Sequence, residues 1–96
     1  MDYDFEWDSK KALINQRKHR VTFELAATIF RDPRALTIFD NEHSDTEDRW
    51  ITMGLASSGG LLVVHHTFKA VDDTRSVIRI FSSRKASKNE TQQYGE

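Results

Sequence analysis

Few residues here have both the type and the spacing for chemistry. Lys18-His19-Arg20 set an imidazole between two cations. Such a trio either answers the negative end of a helix or contacts a phosphate while His19 moves a proton near neutral pH. In the segment His43 to Trp50, Glu47 and Arg49 are two residues apart. On a strand they share a face, as a surface ion pair or as a carboxylate base beside a cation. Arg79 stands inside Val-Ile-Arg-Ile-Phe, with Arg84 a few residues on. Strict alternation sends Val77, Arg79, Phe81 and Ser83 to one face and Ile78, Ile80, Ser82 and Arg84 to the other. An arginine with apolar neighbours on both sides must be desolvated at its stem and find an anion, an internal carboxylate or a phosphate, or else line a groove. His65 and His66 are adjacent, so on a strand they point apart and cannot share a metal. The sequence has no cysteine, no glycine-rich phosphate loop, no nucleophile elbow and no His-Glu-x-x-His. Neither a metal nor a nucleotide cofactor is expected.

The elements that must hold these groups are punctuated clearly. Residues 3–7 alternate aromatic and acid, a half-buried strand pattern. Asp8 or Ser9 caps a helix over 10–18, and Thr22 caps another in which Phe23, Ala26, Ala27 and Phe30 recur at helical spacing. Asp32-Pro33 ends it. Then come β-rich runs at 35–39, 49–56, 61–68 and 76–83, parted by a polar loop at 41–48, a Ser-Ser-Gly-Gly turn at 57–60 and a polar turn at 70–74. Ser87 and Glu90 form a capping box that opens a short C-terminal helix, apolar-poor and expected to dock loosely. The expectation is an α+β fold: a small, mostly antiparallel sheet with two N-terminal helices packed on one face and a short C-terminal helix.

Ninety-six residues allow one domain, 1–96. With 30% charged and 38% hydrophobic residues, the chain is too apolar for disorder and too polar for a membrane protein. Its acidic start is unlike a secretory signal, so a cytoplasmic location is expected. The net charge of −1 hides blocks: the segment 10–20 and the segment 75–88 are basic without an acid, whereas 2–8 and 40–48 are acidic. The basic blocks either pair with the acidic ones or form one surface for an anionic polymer.

At these same residues the chain resembles the BrnT toxins of bacterial type II toxin–antitoxin systems. The resemblance is carried in order by Phe5-Glu6-Trp7-Asp8, Lys11, Asn15, Lys18-His19, Val21, Phe23-Glu24, Phe30, Asp32-Pro33, His43-Ser44, Glu47, Arg49-Trp50, Arg79-Ile80, Ser82, Arg84, Ala86, Glu90 and Tyr94. It implies a RelE-like fold and a ribonuclease that stops translation. It also implies a BrnA-type ribbon-helix-helix antitoxin in a 2:2 hetero-oligomer, with operator DNA bound only through that partner. Two departures stand out. Arg20 occupies a position where the family usually has glycine, which costs roughly 1 kcal/mol if a helix ends there in the left-handed conformation. The segment 69–76 is also longer than a short turn.

RelE-like ribonucleases use no metal: the RNA 2′-hydroxyl attacks the adjacent phosphate and leaves a cyclic phosphate and a 5′-hydroxyl. This sequence offers His19 or Glu47 as base and Arg49, Arg79 and Arg84 as charge stabilisers. Lys18, Arg20, Ser82 and Lys85 are the expected RNA contacts. Tyr3, Phe5 and Trp7 are expected on an exposed sheet margin, open to the antitoxin. Two competing readings are a catalytically inactive partner-binding or co-repressor subunit and a stand-alone nucleic-acid binder. The near-neutral charge argues against the latter.

Overall fold

The computed structural model describes residues 2–95. Strand β1 (Asp2–Glu6) leads into helix α1 (Ser9–His19) and helix α2 (Phe23–Ala27). Strands β2 (Leu36–Phe39), β3 (Trp50–Leu55), β4 (Leu61–His66), β5 (Lys69–Ala70) and β6 (Arg75–Lys85) follow, and helix α3 (Lys88–Tyr94) closes the order. The sheet runs β1-β6-β4-β3-β2, with β5 also paired to β6. The expected antiparallel meander is β2-β3-β4-β6; β1 adds to it in parallel, so the sheet is mixed.

The local signals act as their chemistry requires. The Asp8 carboxylate accepts the Lys10 and Lys11 amides at 2.7 and 3.3 Å and caps α1. Thr22 Oγ1 accepts the Leu25 amide at 3.1 Å and caps α2. α1 ends at Arg20, whose φ of 59° and ψ of 33° are left-handed, so the departure from glycine does fall on a strained residue. The helix expected to run through Phe30 instead tightens into a 3₁₀ turn over Thr28–Arg31. That turn presses on β3 at Gly54, where a Cβ would lie 3.0 Å from the Ile29 Cβ. Asp32 then stops the chain and accepts amides from Arg34 and Leu55 at 2.9 and 2.8 Å.

α1 and α2 cover one face of β4 and β6, and the core there includes Val21, Phe23, Ala26, Ile29, Leu62, Val64, Ile78 and Ile80. β1 does lie at the margin of the sheet, but Phe5 and Trp7 pack against this core rather than standing exposed; Trp7 meets Phe23 edge-on at 5.9 Å. Register decides this: Phe5 sits opposite Ile78, so β1 turns its aromatic side to the helices. Tyr3 alone of the three stays at the surface, 37% exposed. β2 is the other edge strand, and its Leu36 and Ile38 are 46% and 63% exposed.

The polar turn expected at 70–74 begins as strand: Lys69 and Ala70 pair back onto Val77 and Ser76. The tip is held by Asp72, whose carboxylate accepts the Thr74 and Arg75 amides. α3 is better tethered than its composition suggested. Tyr94 donates to Asp32 across the molecule, and Glu90 grips Arg84. No helix among the described residues is long and apolar enough to cross a membrane.

Candidate active site

The open face of the sheet, opposite α1 and α2, carries the cations, and one irregularity sets its pattern. β4 and β6 stay in register from Leu62 opposite Lys85 to His65 opposite Ser82, but His66 then faces Ile80. Phe81 is an extra residue, a β-bulge, and it reverses the parity of β6. Ser76, Ile78 and Ile80 are buried on the helix side, and so is Ser83 three residues on. Arg79, Ser82 and Arg84 therefore share the open face. This corrects the strict alternation, which placed Arg79 apart from Ser82 and Arg84.

Asn15 holds the bulged strand. β1 pairs with β6 only as far as Arg79, so the outward amide and carbonyl of Ser83 have no strand partner. The Asn15 side chain supplies one: Oδ1 accepts the Ser83 N–H at 3.0 Å, and Nδ2 donates to the Ser83 carbonyl at 2.9 Å and to the Val21 carbonyl at 3.0 Å. A carboxamide on α1 thus stands in for a missing strand.

Pairing across β3, β4 and β6 arranges this face in rows: Met53, Val63 and Arg84, of which Met53 and Val63 are buried, then Ile51, His65 and Ser82, which are partly exposed. Arg49 and Arg79 lie beyond the second row. The Arg49 guanidinium stacks 4.2 Å from the Phe81 ring centre, with the Lys11 ammonium 5.4 Å from the same ring. Arg49 Nη2 is 3.5 Å from Glu47 Oε1, while its buried Nε has no hydrogen-bond partner. Arg79 Nε and Nη2 each lie 3.0 Å from Glu6 Oε1. The internal carboxylate that its apolar strand called for is therefore present. Both pairs are exposed enough to contribute little and to yield to a competing phosphate. Beside them a cleft of ≈ 370 Å³ is lined by Trp7, Lys11, Arg79 and Phe81 with Glu6 and Asp8.

Arg84 is bound differently. Its two terminal nitrogens meet both Glu90 oxygens at 2.8 and 2.9 Å, a bidentate fork. Glu90 also accepts the Ser87 amide at 2.7 Å. The fork, then that amide, hold the Glu90 carboxyl at about 2. Arg84 joins α3 to the sheet.

A further cluster stands at the end of β2. The buried Asp40 carboxylate meets His43 Nδ1 at 2.9 Å and lies 3.9 Å from His65 Nδ1. Burial pushes the His65 imidazole below its ordinary value, with Arg84 and His43 adding to the fall against Asp40 and Glu90. His66 faces the other way, into the core, 2% exposed. Its Nδ1 lies 2.9 Å from the Thr67 carbonyl and its Nε2 2.7 Å from the Thr52 hydroxyl. The carbonyl can only accept, so the proton sits on Nδ1 and Thr52 donates to Nε2.

The remaining candidates fall elsewhere. His19 is the half-buried last residue of α1, with Lys18 exposed beside it. Arg20 and Lys85 line a separate groove with Val21, Leu61 and Tyr94. Among the described residues, none of Lys18, His19 and Arg20 shares a hydrogen bond or ion pair with Arg49, Arg79 or Arg84, and Lys85 meets Arg84 only through its backbone carbonyl, to which Arg84 Nη1 donates at 3.3 Å. Nor does any group of His, Asp and Glu among them have the geometry to hold a metal ion. Sequence reasoning did not single out Lys11 as a cation of the site, Phe81 as its platform or Asp40 as the acid between two histidines; only the register and the bulge bring them in.

A family model described as "Ribonuclease toxin, BrnT, of type II toxin-antitoxin system" matches residues 7–90. The chain belongs to the BrnT toxin family. Among solved structures it is similar to the Brucella abortus ribonuclease toxin BrnT, known from a 1.1 Å crystal structure. The TM-score is 0.60 at 21% identity, covering 92% of this chain and 100% of that one. At that identity the likeness speaks for the fold. No curated protein matches. BrnT membership makes the chain a toxin of the ribonuclease type and implies an antitoxin partner.

Proposed function

We propose that this BrnT-family chain is a cytoplasmic, metal-independent endoribonuclease with a RelE-like mode of action, held inactive by a BrnA-type ribbon-helix-helix antitoxin. The observation that carries the reading is the open face, where Arg49, Lys11 and Arg79 gather around Phe81 beside a cleft. Cleavage by the 2′-hydroxyl needs cations for the pentacoordinate phosphate, and arginine suits this because its fork holds two phosphate oxygens and stays protonated. Arg49 and Arg79 take that role, and the Phe81 ring positions the Arg49 guanidinium that stacks on it. The fork to Glu90 favours a structural role for Arg84. Of the two bases the sequence offers, Glu47 is the one beside Arg49, while His19 sits at the end of α1. Ser82 extends the phosphate contacts on this face, whereas Arg20 and Lys85, in their separate groove, and Lys18 at the end of α1 would meet RNA only beyond it.

The antitoxin is expected in a 2:2 complex covering this cationic face, so that RNA and antitoxin compete and operator DNA is bound through the partner. The test is cleavage of a defined RNA with EDTA present, beside Arg79→Ala and beside the antitoxin complex. Cleavage products should end in a 2′,3′-cyclic phosphate. Activity that EDTA abolishes and magnesium restores contradicts the metal-free mechanism. An antitoxin-bound toxin that cuts as fast as the free one contradicts inhibition by occlusion. A protein that binds the antitoxin but cuts nothing fits the inactive-subunit reading instead.

A further inference from the structure

We propose that His65 is the proton acceptor for the RNA 2′-hydroxyl, with Asp40 as its positioning residue; this rests on the nuclease reading above. The observation is a placement. In the row order of the open face, His65 and Ser82 lie between the Arg49 and Arg79 cations on one side and Arg84 on the other. A phosphate held by Arg49 and Arg79 therefore brings its neighbouring ribose toward the His65 ring. Neither Glu47 nor His19 has that position. Glu47 lies outside the strands, 42% exposed and turned to Arg49 rather than to the row that holds His65. His19 ends α1 about two turns beyond Lys11, the residue of that helix that reaches Phe81.

The geometry also distinguishes the two ring nitrogens. His65 Nδ1 is the one turned to Asp40, 3.9 Å away, so Nε2 is the one that can meet substrate. Asp40 is buried and already fixed by His43 at 2.9 Å, so it is a rigid acceptor. A small turn of the His65 ring closes the remaining gap, as catalytic hydrogen bonds commonly tighten when substrate binds. An Nδ1–H held by a carboxylate fixes the tautomer whose Nε2 is a free base and stabilises the imidazolium once it forms.

The step then balances. Nε2 takes the 2′-hydroxyl proton, the 2′-oxygen forms its bond to phosphorus, and the bond from phosphorus to the 5′-oxygen breaks. The departing oxygen takes a proton from water at this open face, and the imidazolium returns its own to solvent. The groups that face His65 are Asp40 and His43 from the β2 end, Arg84 from β6 and Glu90 from α3; burial is the largest influence and lowers its affinity for protons. His65 is accordingly neutral, and able to accept a proton, at pH 7.

The test is single-turnover cleavage of a short oligoribonucleotide across pH 4.5–8, together with NMR titration of the His65 ring in the wild-type protein. The acid limb of kcat/KM should coincide with the NMR titration and lie below the ordinary histidine value. His65→Ala should lose roughly 10²–10⁴-fold in rate, lose that limb, and recover part of the rate with added imidazole. Asp40→Asn should move the limb to lower pH, an effect that a purely structural role would not produce. His65→Gln, with a melting curve, serves if His65→Ala fails to fold. A wild-type limb that does not match the NMR titration overturns the assignment. So does a folded His65 variant that cuts within about threefold of wild type, a margin far inside the effect expected of a general base. A wild-type protein that cuts no RNA overturns the nuclease reading, and this assignment with it.

Discussion

Replacing Asn15 tests the account of β6 most directly. Its side chain is 5% exposed and serves three backbone groups: the Ser83 N–H, the Ser83 carbonyl and the Val21 carbonyl. Asn15→Ala strips all of these of partners at a buried place. A buried polar group left unsatisfied costs about 1–3 kcal/mol. Water entering the space left by the carboxamide recovers part of that, so the net loss is expected at about 3–5 kcal/mol. Domains of this size are stable by about 0.05–0.15 kcal/mol per residue, so the loss is a large share of the whole. At roughly 4–8 °C per kcal/mol the melting temperature should fall by more than about 12 °C. Asn15→Asp sharpens the argument. It keeps an acceptor for the Ser83 amide but turns a carboxylate toward two carbonyls, and should be less stable than Asn15→Ala. Urea unfolding followed by circular dichroism measures both. If Asn15→Ala costs under about 1 kcal/mol, the worth of one ordinary hydrogen bond, or if Asn15→Asp matches wild type, the carboxamide does not replace a strand.

Four further outcomes are expected. Arg79→Ala should slow RNA cleavage by roughly 10²–10³-fold, as loss of one charge-stabilising contact does, yet leave stability within about 1 kcal/mol, since its ion pair with Glu6 is exposed. Arg84→Ala should instead destabilise by about 1.5–3 kcal/mol, the range for hydrogen bonds to a charged group, and loosen α3; melting curves beside cleavage rates separate the two arginines. Arg20→Gly should raise stability by about 1 kcal/mol, because glycine accepts φ 59° without the strain that arginine bears; an unchanged melting temperature counts against strain there. Finally, the Glu90 carboxyl is held at about 2 against an ordinary 4.5. A depressed carboxylate stabilises fully above its unfolded value and loses that contribution as pH falls through the folded one. Acid unfolding between pH 4.5 and about 2 should therefore be shallower in Glu90→Gln than in wild type.

Much of the molecule is set by local chemistry and is visible in the chain. Asp8, Thr22 and Ser87 cap helices because their oxygens meet the first free amides, and those interactions span two to three residues. The position of Arg20 is likewise marked by the helix that must end there. Arg79 stands out because its neighbours in sequence are apolar, which marks it as a residue that meets an anion or lines a groove. What only the tertiary structure decides is which anion, and on which side. Glu6 reaches Arg79 because β1 pairs in parallel with β6, a contact across 73 positions of chain. The bulge at Phe81 moves Arg79, Ser82 and Arg84 to one face, and one extra residue in a strand leaves no mark in a pattern of types. Asp40 stands between His43 and His65 only after β2, β3 and β4 align. Short-range hydrogen bonding and periodicity are written along the chain. Parity, register and long-range ion pairs are settled by strand pairing, which depends on the whole sheet at once.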